Sequence, residues 1–241
     1  MKKKEIVLSA LRDGKIQLEG RFVYGSNYTF MTTCSYQDQI LKAVYKPLQG
    51  EQPLWDFPAQ TLAHREVAAF LVSEALRWEL VPPTVFRALE APMGPGSVQL
   101  FIDHDPNLHY FTFKDQKKNA FAKVMLFDLL INNADRKGGH LLIDRDGKLK
   151  LIDHGLCFHI EEKLRTVVWD YAGAPIPSEL LGDVERFVPL LFPRMPFYHS
   201  LQLHLSGEEI LAIHSRAQRL LEKGKYPHPP EDRRTYPWPL V

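Results

Sequence analysis

An apolar helix followed directly by a hairpin is the feature that most constrains the fold of this sequence. Residues 120–131 are apolar on nearly every face, which is typical of a helix buried in a core. After a polar loop, the short strand-like runs 141–143 and 149–152 flank Asp146-Gly147, a strong hairpin signal. Because a hairpin returns the chain to its starting point, the residues at its two ends must lie close together.

Acidic residues and a histidine stand at the two ends of this hairpin. Asp135 precedes it, His140 enters it and Asp153 follows it. Two carboxylates and an imidazole at strand ends can form a divalent-ion and proton-transfer site. Asp and Asn are also common turn formers, so either Asp alone is more often a plain loop residue. The sequence therefore offers a candidate site on one wall of a cleft, with a plain loop as the alternative.

The first half of the chain has the pattern of a small antiparallel sheet with one long helix. A short helix is predicted over 5–12, and a longer one over 61–78, where apolar residues recur at helical spacing. Alternating β-branched and aromatic residues predict strands. The strand candidates are 15–18, 21–24, 28–33, 40–45, 85–89 and 97–102. Together with the helical second half, this pattern predicts an α+β fold.

The organisation of the chain follows from these elements and from a late change in composition. Ser206 and Glu209 predict the capped start of a last helix, with Gly224 just after its end. Prolines and aromatic residues then predict an extended tail that lies along the body. The predicted divisions are an N-lobe over 1–103, a C-lobe over 104–224 and a proline-rich tail over 225–241.

Composition excludes several classes of function. The chain has 241 residues, with 30 Lys and Arg against 29 Asp and Glu, so a nucleic-acid or anionic-membrane binder is not expected. Cys34 and Cys157 are too few for a disulfide framework and suggest a reducing compartment. The apolar run 6–11 is cut by Arg12 and Asp13, so no signal peptide or membrane insertion is expected. We expect a monomeric cytoplasmic protein.

The order of these parts resembles the catalytic core of the kinase fold, in its atypical phosphatidylinositol 3-/4-kinase-like and HipA-like branches. In those branches an Asp-Arg-x-x-x-Asn loop is followed, one hairpin later, by a metal-binding Asp in Asp-x-Gly. Here residues 135–140 read Asp-Arg-Lys-Gly-Gly-His, and residues 152–158 resemble the Ile-Asp-Asn-Gly-Leu-x-Phe of type II phosphatidylinositol 4-kinases. The chain also resembles a bacterial family of that superfamily, through residues 44–47, 53–58 and 132–140. The resemblance implies a two-lobed protein-kinase-like fold.

The resemblance also implies a lysine that contacts the nucleotide and an acid that holds it. The family's Lys-Pro falls on Lys46 and the residue after it, with Lys42 as the competing lysine. Glu66 on the long helix is the implied partner of this lysine, with Glu74 as the alternative. An exposed lysine and a solvated glutamate are the ordinary readings of these residues.

ATP is implied to lie between the lobes. Gly25, Ser26 and Asn27 could let backbone N–H groups approach a phosphate, although a plain hairpin turn explains them equally well. The adenine is expected against the connecting strand, near Gln99 and Phe101.

The catalytic roles implied by the resemblance fall on the loop and the hairpin. Asp135 would orient the acceptor hydroxyl, Asp153 would hold Mg²⁺ or Mn²⁺, and Arg136 or Lys137 would offset charge on the transferred group. His140 departs from the family pattern, which has a metal-binding Asn there. An imidazole at this position favours Mn²⁺ or does not ligate at all.

The phosphate acceptor and the activity itself stay open. Glu161 and Glu162 oppose Lys163 and Arg165 where a lipid headgroup would need a basic cluster, so a protein hydroxyl or a small-molecule alcohol is favoured. A nucleotide-binding pseudokinase or scaffold is a second hypothesis, because His140 could have disabled turnover. A third is a metal-dependent phosphoesterase that uses the residues His140, Asp153 and His154. Trp55 and Phe57 are expected to pack or, less often, to recognise a partner.

Overall fold

The computed structural model describes residues 3–23, 27–112 and 118–241. The first half contains helix α1 (Lys3–Asp13), strands β1 (Lys15–Arg21), β2 (Phe30–Tyr36) and β3 (Gln39–Pro47), helix α2 (Leu62–Ala75), and strands β4 (Thr84–Arg87) and β5 (Gly96–Leu100). The second half contains helix α3 (Lys118–Ile131), strands β6 (Leu141–Ile143) and β7 (Leu149–Leu151), and helices α4 (Ser178–Phe187), α5 (Pro196–Gln202) and α6 (Gly207–Lys223).

The first half forms a five-stranded antiparallel sheet in the order β1-β2-β3-β5-β4. Alternate residues of β3, among them Ala43 and Tyr45, are buried with Leu11 of α1. Helix α1 is fastened to the sheet by Arg87 of β4, whose Nη1 donates to the carbonyl oxygen of Gly14 at 2.6 Å. One face of the sheet is therefore closed by α1, and the other face is left for the rest of the molecule.

The structure changes some of the predicted strand boundaries. The predicted strand 15–18 lies within β1, which continues to Arg21 with an irregular register between Leu18 and Gly20. The predicted strand 21–24 is wrong at Phe22 and Val23, which follow the end of β1, and Tyr24 lies outside the described residues. Gly25 and Ser26 lie outside the described residues, so the prediction of a turn there is tested only at Asn27. The hairpin of β6 and β7 is confirmed, with Leu141 paired to Leu151.

The second half packs around α3, as its all-round apolar character predicts. Met125, Leu126 and Phe127 of this helix are fully buried. The same core includes apolar residues of α2, such as Ala68 and Val72. Helix α2 therefore packs with both halves of the chain. The lobe boundary at residue 103 stays a prediction, and the core shared by α2 and α3 extends across it.

The last helix and the tail have the predicted character. Ser206 caps α6 through a complete capping box with Glu209, and Gly224 ends it with a left-handed φ of 59°. In the tail, the carbonyl oxygen of Thr235 accepts from the N–H of Thr166 at 3.1 Å, and that of Leu240 accepts from the N–H of Gly138 at 2.7 Å. The tail thus lies along the body and reaches the loop before β6. The sequence pattern predicts no element over the stretch that contains α4 and α5.

The length and apolar character of the helices bear on the prediction of no membrane insertion. Among the residues that the structure describes, none of the helices combines the length and the apolar character needed to cross a membrane.

A pair of histidines joins α2 to the segment before α6. His64 Nδ1 lies 3.1 Å from His204 Nδ1, and the His64 ring stacks on Phe86 with ring centroids 4.0 Å apart. Burial and the neighbouring His64 lower the pKa of His204 to about 4. Because an unfolded chain binds this proton near pH 6.5, stability is full above that pH and falls as the pH drops toward 4.

We therefore predict that His204→Gln reduces the pH dependence of stability. Between pH 7.5 and pH 5.0, the variant should lose about 2 kcal/mol less unfolding free energy than the parent protein. Urea unfolding at the two pH values measures this difference. His199→Gln, at an exposed position of α5, is the control and should behave like the parent. An equal pH dependence in all three proteins would contradict the prediction.

Candidate active site

A cavity of about 490 Å³ lies between the sheet and the helical half. Its lining comes from both halves of the chain, since strands β3 and β5, helix α2, the loop before β6 and the segment after β7 all contribute. The predicted site residues among its lining are Asn27, Lys46, Glu66, Gln99, Phe101, Asp135, Lys137, His140 and Asp153. The structure therefore brings most of the sequence-predicted residues to one cavity.

Lys46 is held between two carboxylates at the centre of this cavity. Its Nζ lies 2.8 Å from Asp153 Oδ1 and makes a second, short contact with Glu66 Oε1. Burial alone would lower the pKa of Lys46, but Asp153 and Glu66 together raise it above its usual value. The ammonium therefore stays charged and joins β3, α2 and the end of the hairpin.

The alternation of β3 explains why Lys46 faces the cavity. Ala43 and Tyr45 point into the α1 side of the sheet, so Val44 and Lys46 line the cavity on the opposite side. Lys42 shares that side but is exposed outside the cavity.

The Glu66 carboxylate is held in place by a backbone hydrogen bond. It is nearly fully buried on α2, and its Oε2 accepts the backbone N–H of His154 at 3.0 Å. The alternative Glu74 pairs instead with Lys4. Among the candidates raised by the sequence, the structure therefore joins Lys46 to Glu66.

Asp153 follows the hairpin and has a positive backbone φ angle. Its φ is +62°, a left-handed conformation that Asp tolerates better than most residues. Its two oxygens have different partners, because Oδ2 lies 3.2 Å from His140 Nε2 while Oδ1 contacts Lys46. Lys46 lowers the pKa of Asp153 well below its usual range, against the opposing effect of burial. The carboxyl group is therefore ionised at neutral pH.

Asp135 lies across the cavity with Lys137 beside it. Lys137 Nζ is 3.1 Å from Asp135 Oδ2, and the backbone N–H of Asp135 donates to Asn133 Oδ1 at 2.9 Å. Burial raises the pKa of Asp135, while the Lys137 ammonium partly opposes this shift. Such a carboxylate is a better proton acceptor than an exposed one, and it is held in place by its own loop.

Arg136 corrects one of the sequence predictions. Its side chain is fully buried beneath the loop. The Nη2 lies 3.0 Å from Asp128 Oδ1, and Nη1 donates to the carbonyl oxygen of Ile152 at 2.9 Å. Because it points into the core, Arg136 is not placed to offset charge on a transferred group. Of the two predicted basic residues, only Lys137 faces the cavity.

The structure also shows residues around Arg136 that sequence reasoning missed. Asp128 is fully buried and accepts from Thr166 Oγ1 at 3.0 Å and from Asn133 Nδ2 at 3.2 Å. Arg136 Nη2 lies 2.9 Å from His154 Nε2, so this nitrogen must accept. Asp128 had a sequence signal, since a lone acid in an all-round apolar helix needs a buried partner.

The remaining predicted residues take several positions. Gln99 Nε2 donates to Thr84 Oγ1 at 2.8 Å, and Asn27 Oδ1 accepts the N–H of Gln52 at 2.7 Å. Phe57 is buried against Leu62 and Ala134. Trp55 is 93% exposed, with Lys163 Nζ 5.0 Å from its ring centroid.

A divalent ion would find few protein ligands at this site. Within the described ranges, no group of three or more His, Cys, Asp or Glu side chains is arranged to hold a metal. Of the residues predicted to bind the ion, Asp153 offers carboxylate oxygens and His140 an imidazole, and both line the cavity together with the carboxylates of Glu66 and Asp135. This donor set fits Mg²⁺, which commonly binds through one or two carboxylates together with the phosphates of a substrate.

The comparisons with known proteins confirm the predicted kinase-like fold. The sequence pattern of the family described as phosphatidylinositol 3- and 4-kinase matches residues 57–220. This chain belongs to the phosphatidylinositol 3- and 4-kinase family.

Two relatives differ in how much of their length they share with this chain. Protein Rv2133c of Mycobacterium tuberculosis is 38% identical over 266 residues, covering 96% of this chain and 94% of that protein. Phosphatidylinositol 4-kinase gamma 3 of Arabidopsis thaliana is 29% identical over 137 residues, covering 54% of this chain. The match spans only 23% of the plant kinase.

Solved structures with low sequence identity share the fold. A hydra Fam20 determined with sugar has a TM-score of 0.60 at 16% identity, covering 92% of this chain and 89% of the Fam20 chain. The Golgi casein kinase determined with Mn and ADP has a TM-score of 0.57 at 15% identity, covering 91% of this chain and 74% of its own. The two-lobed kinase-like architecture is therefore confirmed.

The buried ion pair beneath the loop leads to a stability prediction. Asp128→Asn leaves the Arg136 guanidinium buried without its counter-charge, and we expect it to cost about 3–5 kcal/mol of unfolding free energy. Urea unfolding measures the loss. Glu162→Gln is the matched control, because it removes the partner of Arg219 in an exposed pair and should cost less than about 1 kcal/mol. Similar losses in both variants would contradict the argument.

Proposed function

We propose that this protein is an ATP-dependent kinase that transfers a phosphoryl group to a hydroxyl group of a protein or a small molecule. The observation that carries the proposal is the position of Lys46, which joins Glu66 to Asp153 and lines one cavity with Asp135. A lysine held by a helix acid, a metal-holding Asp and a loop Asp are the parts that phosphoryl transfer requires.

In this proposal the nucleotide lies with its adenine against the apolar side of β3 and β5. Val44, Leu100 and Phe101 line that part of the cavity, which suits a flat aromatic base. The phosphates then reach Lys46, whose ammonium turns from Asp153 toward them. When bound, Mg²⁺ or Mn²⁺ would offset phosphate charge and would be held by Asp153. The family membership and the Mn/ADP complex of the casein kinase support this arrangement.

Asp135 would act on the acceptor. It orients the attacking hydroxyl and takes its proton as the oxygen–phosphorus bond forms and the bond to the ADP oxygen breaks. The raised pKa of Asp135 suits this role, because it brings the carboxylate closer to the proton it accepts. Lys137, 3.1 Å from Asp135, would offset charge on the transferred group.

The charges of residues 161–163, which follow Asp153 in the chain, favour an acceptor other than a phosphoinositide. Lys163 lies 3.0 Å from Asp56 and 3.6 Å from Glu161, and Arg219 pairs with Glu162. Since these cations already have acidic partners, they offer little to a polyanionic headgroup. A protein hydroxyl or a small-molecule alcohol is the proposed acceptor.

One alternative has an observation behind it. His140 faces Asp153 where the family pattern has a metal-binding Asn, which favours a nucleotide-binding pseudokinase if the change abolishes turnover. The phosphoesterase alternative has less support. Its third member, His154, is fully buried and lies against Arg136 rather than in the cavity.

Nucleotide binding gives the first test. Mg²⁺ alone should leave the midpoint of thermal unfolding unchanged, because the Asp153 carboxylate is already paired with Lys46. Mg²⁺ together with ATP should raise that midpoint. Lys46→Met should weaken the affinity for ATP about tenfold or more, since it removes a charged donor to the phosphates. Lys42→Met, four residues away on the same strand, should bind ATP like the parent. Equal affinities in both variants would overturn the assignment of Lys46.

Turnover gives the second test and separates the kinase from the pseudokinase. Asp135→Asn should lower phosphoryl transfer or ATP hydrolysis by about 100-fold or more while ATP affinity stays near that of the parent. The assay uses radiolabelled ATP with either Mg²⁺ or Mn²⁺. A parent protein that binds ATP but never releases or transfers phosphate would favour the pseudokinase.

A further inference from the structure

His140 is held on both ring nitrogens, and the two contacts differ in kind. The backbone N–H of Lys137 donates to Nδ1 at 3.3 Å. On the other side of the ring, Nε2 lies 3.2 Å from Asp153 Oδ2. The backbone is fixed as well, because the carbonyl oxygen of His140 accepts the N–H of Ile152 at 3.1 Å. The ring therefore has little freedom to turn.

These contacts determine where the ring carries its proton. A nitrogen that accepts a hydrogen bond must offer a lone pair, and a neutral imidazole has only one such nitrogen. Because Nδ1 accepts from the Lys137 N–H, the proton lies on Nε2, which faces a carboxylate oxygen. The same contact excludes the doubly protonated ring, in which Nδ1 would also be a donor.

A ring in this form cannot ligate a metal through Nε2. Ligation would need the Nε2 lone pair, so the proton would have to move to Nδ1 and point at the Lys137 N–H. We therefore propose that His140 is a positioning residue that donates a hydrogen bond to Asp153 Oδ2, and that the divalent ion is held by Asp153 and the nucleotide phosphates without an imidazole ligand. This inference rests on the proposed kinase function.

The proposal gives each oxygen of Asp153 its own task. His140 holds Oδ2, while Oδ1 is the oxygen that Lys46 contacts at 2.8 Å. When Lys46 turns toward the phosphates, Oδ1 stays directed into the cavity because the carboxylate is still fixed by His140. Such partners of a metal-binding carboxylate typically change metal affinity 10- to 100-fold when removed. In this proposal His140 does not have the predicted role of a second metal ligand.

The first experiment reads the ring directly, without nucleotide, metal or turnover. In ¹⁵N-histidine-labelled protein at pH 7.5, the His140 signals are identified by their loss in His140→Gln. The expected pattern is a protonated Nε2 and an unprotonated Nδ1, which ¹⁵N chemical shifts distinguish. A protonated Nδ1, or protons on both nitrogens, would overturn the proposal.

The second experiment uses two substitutions and the midpoint of Mg²⁺ or Mn²⁺ titrations with a non-hydrolysable ATP analogue, followed by thermal shift. His140→Gln keeps an N–H near the Nε2 position and should keep both ion affinities within about threefold, whereas His140→Leu should weaken both about tenfold. A selective loss of Mn²⁺ affinity in His140→Gln would identify His140 as a ligand and overturn the proposal.

The two experiments distinguish a failure of the proposed kinase function from a failure of the proposed role of His140. Urea unfolding of both variants tests whether they fold. If His140→Leu does not fold, the more conservative His140→Gln still tests the proposal. If the parent protein binds no nucleotide with either ion, the kinase function fails. If it binds nucleotide and the ring has the wrong tautomer, only the positioning role fails.

Discussion

The arrangement of the helical half depends on the contacts of the buried guanidinium of Arg136. This guanidinium pairs with Asp128 of α3, donates to the carbonyl oxygen of Ile152 after β7, and lies against His154. One side chain thus joins the central helix, the loop and the far end of the hairpin. Since a charge this deeply buried is costly without partners, these elements can pack only in the arrangement that satisfies it.

The same contacts continue from the core to the cavity. His154 follows Asp153 in sequence, and its backbone N–H donates to Glu66, which contacts Lys46. The loop, α2 and β3 are therefore positioned through one continuous set of hydrogen bonds. The buried end of this set fixes the exposed end, where Lys46 and Asp153 meet solvent and where chemistry would occur.

Local patterns explain which parts of this site could be predicted from the sequence. Period-two alternation directs Lys46 away from the buried Tyr45, and a hairpin must bring Asp135 and Asp153 together. Neighbours in a loop carry no such rule, so nothing local distinguishes Asp135, which faces the cavity, from Arg136, which faces the core. The roles of Arg136 and His140 depend on contacts between distant segments, and only the folded chain provides them.

The charge balance of the cavity explains why its cation would arrive with the nucleotide. Glu66 and Asp153 both contact the ammonium of Lys46, and the proposed role of His140 adds a neutral donor to the second oxygen of Asp153. A lone divalent ion would have to displace Lys46 and then rely on one carboxylate. In the proposed kinase, phosphates would change this competition, because they would offer Lys46 new acceptors and would supply oxygen ligands in addition to those of Asp153. In the proposed kinase, the ion pair of Lys46 with Asp153 would keep both groups in position until the phosphates separate them.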